Sequence, residues 1–145
     1  MKLLNNFISI TLIFHSLQLT AEENYSNKKV FESLVQPVFE AKCIECHGPN
    51  KSKGKLKLHT KEDLLKGGSG VGQDILIKGN IDDSELIYRI TLPKDDDEAM
   101  PPMEDEEHYN PVSNEELSVM KAWISMGASF DLLVSDLDEK SKKYA

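Results

Sequence analysis

Cysteine is scarce in this 145-residue sequence, which contains only two, Cys43 and Cys46. With no second cysteine pair, a structural zinc site is disfavoured, because His59 and His108 complete four-ligand coordination poorly. A disulfide between residues so close together closes a very short loop and would add little stability. A thioredoxin-like redox motif needs strand–helix–strand surroundings, and none flanks Cys43.

Long hydrophobic runs are also missing. Near the N-terminus, Lys2 precedes a short apolar core from Phe7 to Phe14. This core is well below the roughly 20 apolar residues that span a bilayer. Ala21 then precedes an abrupt change to acidic residues. The pattern predicts a secretory signal peptide over residues 1–21 and, after its cleavage, a periplasmic protein without a membrane span.

Positive charge is in short supply too, since 17 basic residues face 25 acidic ones for a net charge of −8. Removal of residues 1–21 takes away one lysine and no acid, which leaves 16 basic and 25 acidic residues, a charge of about −9. Such a surface repels nucleic acid and anionic membranes, and we exclude both as partners. No repeat is present, so we expect one domain, over residues 29–129. A flexible N-terminus over residues 22–28 is predicted to precede it, and a C-terminal tail over residues 130–145 to follow it.

Apolar spacing predicts short helices separated by long loops. A first helix starts at Val30 and ends next to Cys43, with Pro37 either kinking it or lying in the first turn of a second helix. A short helix capped by Thr60 ends at Gly67. Another is predicted within residues 81–90, where the sequence is IDDSELIYRI, with one of the two aspartates as its cap.

The last predicted helix begins with a capping box formed by Ser113 and Glu116 and stops at Gly127. Its apolar stripe includes Met120 and predicts one buried face. Because the remaining sequence has few strand-like runs, the predicted fold class is all-α.

His47 directly follows the second cysteine, and it distinguishes haem attachment from the other possible uses of a cysteine pair. A C-x-x-C-H sequence sets two thiols at the separation of the two haem vinyl groups, and the adjacent imidazole falls under the iron. The motif predicts one haem c, bound covalently by Cys43 and Cys46, with His47 as proximal ligand. The export predicted from residues 1–21 is consistent with this motif, because c-type haem is attached outside the bacterial inner membrane.

The iron of an electron carrier generally has a second axial ligand, and methionine sulfur raises the reduction potential relative to a second imidazole. Met100 stands directly before two prolines, which stiffen its loop and can hold a thioether in place. We therefore predict Met100 as the distal ligand. Met103 on the same loop is the main alternative, and His59, His108 or an open site are the others.

An ordered set of motifs runs from Val35 to Ala128. The motifs are VQPVF at 35–39, CIECHGP at 43–49, KGKLKL at 53–58, LLKGG at 64–68, KGN and SELIYRI within 78–90, MPP at 100–102 and WISMGA at 123–128. In this set the sequence resembles the planctomycete-type cytochrome c domain, a branch of the class I c-type cytochromes. The resemblance implies a class I fold whose N- and C-terminal helices cross beside the haem, with His47 and Met100 as the axial pair.

Eight acidic residues between Asp95 and Glu107 flank Met100 on both sides. They form either a solvated loop or a docking patch for a redox partner protein with a basic surface. Calcium is a weaker interpretation, because the EF-hand spacing is absent.

These patterns predict a free-standing monohaem c-type cytochrome, with its domain at residues 29–129, that carries single electrons between redox partners and is not an enzyme. Two alternatives stay open. One is the haem module of a larger dehydrogenase complex. The other is a ligand-binding or peroxidase-like haem domain with a dissociable sixth ligand, which is disfavoured because no distal arginine or histidine constellation can be located.

Overall fold

A computed structural model describes residues 24–103 and 109–137. The predicted signal peptide, His108 and the acidic residues at 104–107 lie outside these ranges. Within them the chain forms helices and turns, with isolated bridges but no β-strand. The predicted all-α class is therefore confirmed for this part of the chain. None of its helices is long and apolar enough to cross a membrane.

The N-terminal helix has two parts, a π-helical turn over Phe31–Val35 and helix α1 over Gln36–Lys42. Pro37 lies in the first turn of α1. Because proline has no N–H to donate to the preceding turn, the hydrogen-bond register changes at this point. Of the two alternatives left open by the sequence, a kink or a second helix with Pro37 in its first turn, the structure shows the second. Helix α1 ends directly before Cys43.

Helix α2 covers Lys61–Lys66 and has the predicted cap, since the Thr60 hydroxyl accepts the Asp63 N–H at 3.1 Å. Gly67 ends it with φ +72°, a conformation that favours glycine. Helix α3 covers Glu85–Thr91, and here the predicted aspartate cap is wrong. Ser84 occupies the N-cap position, while its buried hydroxyl donates to the Asn80 carbonyl at 2.6 Å.

Helix α4, Asn114–Ser125, begins with the predicted capping box of Ser113 and Glu116. It ends in a Schellman motif, in which Ala128 N–H bonds the Trp123 carbonyl and Gly127 N–H bonds the Ile124 carbonyl, both at 2.9 Å. The predicted stop at Gly127 is therefore confirmed.

The core lies where α4 meets the N-terminal helix. Fully buried Trp123 stacks obliquely on Phe31, with ring centroids 5.2 Å apart, and Phe130 packs edge-on against Phe31 at 4.5 Å. The Trp123 indole N–H donates to the Ser129 carbonyl at 2.8 Å, so the buried ring has its polar group satisfied.

Part of the predicted C-terminal tail also joins this core. Val30 N–H donates to the Leu132 carbonyl at 2.8 Å, and Val134 N–H donates to the Lys28 carbonyl at 2.9 Å. Val134 and Leu137 are buried. Residues 130–137 thus fasten the start of the N-terminal helix and leave the opposite end, next to Cys43, facing a cavity.

Candidate functional site

A partly open cavity of about 280 Å³ lies at the end of α1. We call residues 41–58 its motif wall and residues 85–102 its methionine wall. The lining is mainly apolar, so the cavity suits an apolar ligand with a few polar attachment points. Its apolar members are Ala41, Leu56, Leu58, Val71, Ile75, Leu86, Ile90, Pro101, Pro102 and Val112.

The four residues predicted to bind the cofactor all line this cavity: Cys43, Cys46 and His47 from the motif wall and Met100 from the methionine wall. Met103, the alternative distal ligand, is not among the lining residues, and its side chain is 40 % exposed.

His59 lines a different cavity, on the other side of Leu58, together with Phe31, Phe130 and several charged residues. Its Nε2 lies 3.6 Å from Asp63 Oδ2. The structure therefore separates His59 from the cysteines and from Met100.

A single helix-like turn brings the motif residues to one side. The Cys43 carbonyl accepts two N–H groups, from Cys46 at 3.1 Å and from His47 at 2.8 Å. Positions three and four apart in such a turn share a face. Both thiols and the imidazole therefore reach the same cavity.

His47 is held at its backbone and at its ring. Its carbonyl accepts the Leu58 N–H at 2.8 Å, and its ring Nδ1 lies 3.1 Å from the Lys53 carbonyl oxygen. Because a carbonyl only accepts, Nδ1 must carry the proton in this contact, and Nε2 keeps the lone pair. The ring is thus set in the tautomer that binds a metal through Nε2.

Gly48 lets the chain turn sharply after His47. A Cβ at this position would lie 2.3 Å from the Ile44 carbonyl oxygen and 2.7 Å from its side chain. The turn then closes through Gly48 N–H, which donates to the Lys51 carbonyl at 2.8 Å. Close approach of the two backbone segments requires glycine here.

Burial affects the protonation of two of these groups. It raises the pKa of the Cys43 thiol to about 12 and lowers the pKa of His47, against the opposing effect of the Lys53 and Leu56 carbonyls. Both groups are therefore neutral near pH 7 in the protein without a bound cofactor.

On the methionine wall, Met100 is fixed to α3 through its backbone. Its N–H donates to the carbonyl of Arg89 at 3.0 Å. The residue before it, Ala99, is buried and donates its N–H to the Asp96 carbonyl at 3.0 Å. The Met100–Pro101 peptide bond is cis.

Lys42, the last residue of α1, holds the chain at residues 110–111. The Lys42 ammonium donates to Asn110 Oδ1 and to the Pro111 carbonyl, both at 2.9 Å, and lies 3.4 Å from Glu116. Its side chain is only 12 % exposed. Residues 110–111 are thus fastened beside Cys43.

The donor set fits a c-type haem. Two thiols three residues apart, an imidazole with Nε2 available and the thioether of the methionine wall line one mainly apolar cavity. Among the described residues, no group of three or more His, Cys, Asp or Glu is arranged to hold a metal ion.

Sequence reasoning did not predict the contacts that hold the ligands in place. Lys53 acts on His47 through its backbone carbonyl, so no pattern of side chains in the sequence could predict this role. Lys42 and Arg89 act on segments that lie respectively 68 and 9 residues away along the chain. Helical spacing predicts which face of a helix is buried, but it does not predict such pairings between an element and a loop.

The chain is similar to a known protein family, and the matched residues include most of those of the motif and methionine walls that line the cavity. The family model described as Planctomycete cytochrome C matches residues 43–104, a span that begins at the first cysteine and includes Met100. No curated protein and no solved structure matches the chain. A cytochrome c domain implies a covalently bound haem c and electron transfer through it. The match therefore supports a planctomycete-type cytochrome c domain over residues 43–104.

Proposed function

We propose that this protein is a monohaem c-type cytochrome that carries single electrons between redox partner proteins. The observation that carries the proposal is the position of Cys43, Cys46, His47 and Met100 around one apolar cavity. These residues supply two thioether attachments and two axial ligands, which is what one haem c requires.

When bound, the haem supplies an iron that accepts and releases one electron. The chain's own residues bind and orient it. Cys43 and Cys46 would attach it covalently, and the Lys53 carbonyl keeps the His47 proton on Nδ1, which leaves Nε2 available to bind the iron. The apolar lining would shield the haem from water, and the open side of the cavity would leave part of the haem within reach of a partner.

Met100 is the distal ligand in this proposal. It lines the cavity, whereas Met103 is 40 % exposed and His59 lies beside another cavity. A thioether ligand favours the reduced iron and raises the reduction potential relative to a second imidazole. The protein would then serve partners of comparatively high potential.

The proposed place of action is the periplasm, reached through the signal peptide predicted at residues 1–21. The exposed acidic residues Asp95, Asp96, Asp97 and Glu98 lie next to the cavity wall that carries Met100. A partner with a basic docking surface stays a prediction, which a fall of the electron-transfer rate with rising salt would support.

An optical redox titration of the exported holoprotein tests the function. We expect one reversible one-electron transition, and in the oxidised protein the absorption band that arises from methionine sulfur on ferric haem. Carbon monoxide should bind slowly and weakly to the reduced protein, because Met100 occupies the sixth position. Fast, tight binding of carbon monoxide would instead support a ligand-binding haem domain, and two transitions would contradict a single haem.

A further inference from the structure

The residues that lead to Met100 form no regular secondary structure, so their position depends on specific contacts. α3 ends at Thr91, and Met100 follows nine residues later. Within this stretch, only short-range turn contacts such as Ala99 N–H to the Asp96 carbonyl are made by the loop itself. Contacts from α3 must therefore fix where the thioether lies relative to the cavity.

Arg89, the only arginine in the chain, makes those contacts. Its carbonyl accepts the Met100 N–H at 3.0 Å, and its guanidinium Nη1 donates to the Glu98 carbonyl at 3.4 Å. Nη2 also lies 3.7 Å from the Glu98 carboxylate. One residue thus holds the chain both at Met100 and two positions before it.

The guanidinium is itself held in place. Its Nε donates to Glu85 Oε1 at 2.7 Å, one turn earlier on α3, and its side chain is 28 % exposed. A guanidinium has five donors in a rigid fork, so it can bond Glu85 and the Glu98 segment together. A lysine ammonium is a single point charge and cannot span both in the same way.

We propose that Arg89 is a positioning residue that keeps Met100 directed into the cavity. The inference rests on the proposed function, since it assumes that Met100 is the distal iron ligand. Without the Arg89 guanidinium, the segment at Glu98 loses its side-chain anchor, and the backbone bond at Met100 remains. The loop then moves away from the cavity more readily, so an external ligand reaches the sixth position of the iron more often.

The test compares Arg89→Gln with Lys29→Gln in the holoprotein. Lys29 is a matched control, because it too pairs with two carboxylates, Asp131 at 3.0 Å and Glu32 at 3.6 Å, but it does not line the haem cavity. The probe is imidazole binding to the oxidised protein, followed by loss of the methionine-sulfur band. Urea unfolding of each variant separates loop release from general instability.

We expect Arg89→Gln to bind imidazole about tenfold more tightly than the unsubstituted protein, from loss of a charge-assisted anchor. Lys29→Gln should leave the imidazole affinity unchanged. The imidazole affinity of Arg89→Lys should lie between those of Arg89→Gln and Lys29→Gln. If Arg89→Gln fails to fold, the Arg89→Lys variant carries the test through the same titration.

The outcomes distinguish the positioning role of Arg89 from the assignment of Met100 as the distal ligand. Unchanged imidazole affinity in the Arg89 variants, with the sulfur band intact in the parent, would overturn the positioning role alone. A shifted reduction potential with unchanged imidazole affinity would also overturn it, because Arg89 would then act on the haem directly. Absence of the sulfur band from the unsubstituted protein would overturn the ligand assignment and the positioning role together.

Discussion

The two walls of the cavity are built in different ways. The motif wall is joined by backbone hydrogen bonds between residues close in sequence, such as Cys46 N–H to the Cys43 carbonyl at 3.1 Å and His47 N–H to the same carbonyl at 2.8 Å. The methionine wall has one backbone bond from Met100 to α3, short turn contacts within its loop, and the charged side chain of Arg89 as a further anchor. Lys42, from the motif wall, holds residues 110–111 in a similar way.

This difference matches the chemistry proposed for each wall. Covalent attachment and the proximal imidazole need a geometry that does not change with the redox state, and short-range backbone bonds provide it. A methionine ligand is weaker and is held by separate anchors, so mutation can adjust it without disturbing the motif. We therefore expect substitutions on the motif wall to affect haem retention and those on the methionine wall to affect ligation.

The largest effect is expected from removing both attachment points, in Cys43→Ala with Cys46→Ala. All haem should then dissociate from the polypeptide under denaturing conditions, because no thioether remains. Haem staining of a denaturing gel provides the measurement, with either single cysteine variant as the control that retains one bond. Staining of the double variant would contradict attachment at these residues.

The methionine wall is tested by a pair of variants, Met100→Ala and Met103→Ala. The first should abolish the methionine-sulfur absorption band and lower the reduction potential, while leaving the haem covalently attached. The second should change neither property, because Met103 is exposed outside the cavity. The opposite result would assign the distal position to Met103.

Sequence reasoning succeeded where a signal is local and failed where it is not. The C-x-x-C-H motif, the Thr60 cap and the capping box at Ser113 are short patterns, and the structure agrees with the two caps. The start of α3 was predicted one or two residues too early, because the buried Ser84 hydroxyl bonds the preceding turn. Neither composition nor periodicity encodes a contact of that kind.

The anchors of the methionine wall show the same limit over a longer range. Two prolines after Met100 indicate a stiff loop, but they do not say which element it packs on. The Lys42–Pro111 hydrogen bond joins residues 69 positions apart and exists only once α1 and α4 have docked. Tertiary packing decides such pairings.

Within the motif wall, Gly48→Ala should destabilise the fold. The new Cβ would lie 2.3 Å from the Ile44 carbonyl oxygen, so the turn after His47 must shift. We expect a loss toward the upper end of about 1–3 kcal/mol, as for overpacked sites. Urea unfolding measures it, and the control is Asn50→Ala at the exposed tip of the same turn. Equal stability of the two variants would argue against the close approach described here.

A smaller effect is expected from Lys42→Met, which keeps most of the apolar side chain and removes the ammonium. The Pro111 carbonyl and Asn110 lose a donor in a partly buried position, at a cost of about 1 kcal/mol. The exposed Lys78→Met provides the control in the same urea titration. A stability loss no larger than that of the control would show that Lys42 does not anchor the loop.

The central claim is that one haem is bound covalently through Cys43 and Cys46. The most direct test is acid–acetone extraction of the denatured holoprotein, expressed with a c-type maturation system, followed by a pyridine haemochrome spectrum. We expect the haem to stay with the polypeptide and to show the spectrum of saturated vinyl groups, with one haem per chain. Haem that passes into the organic phase, or a protein matured without any, would contradict it.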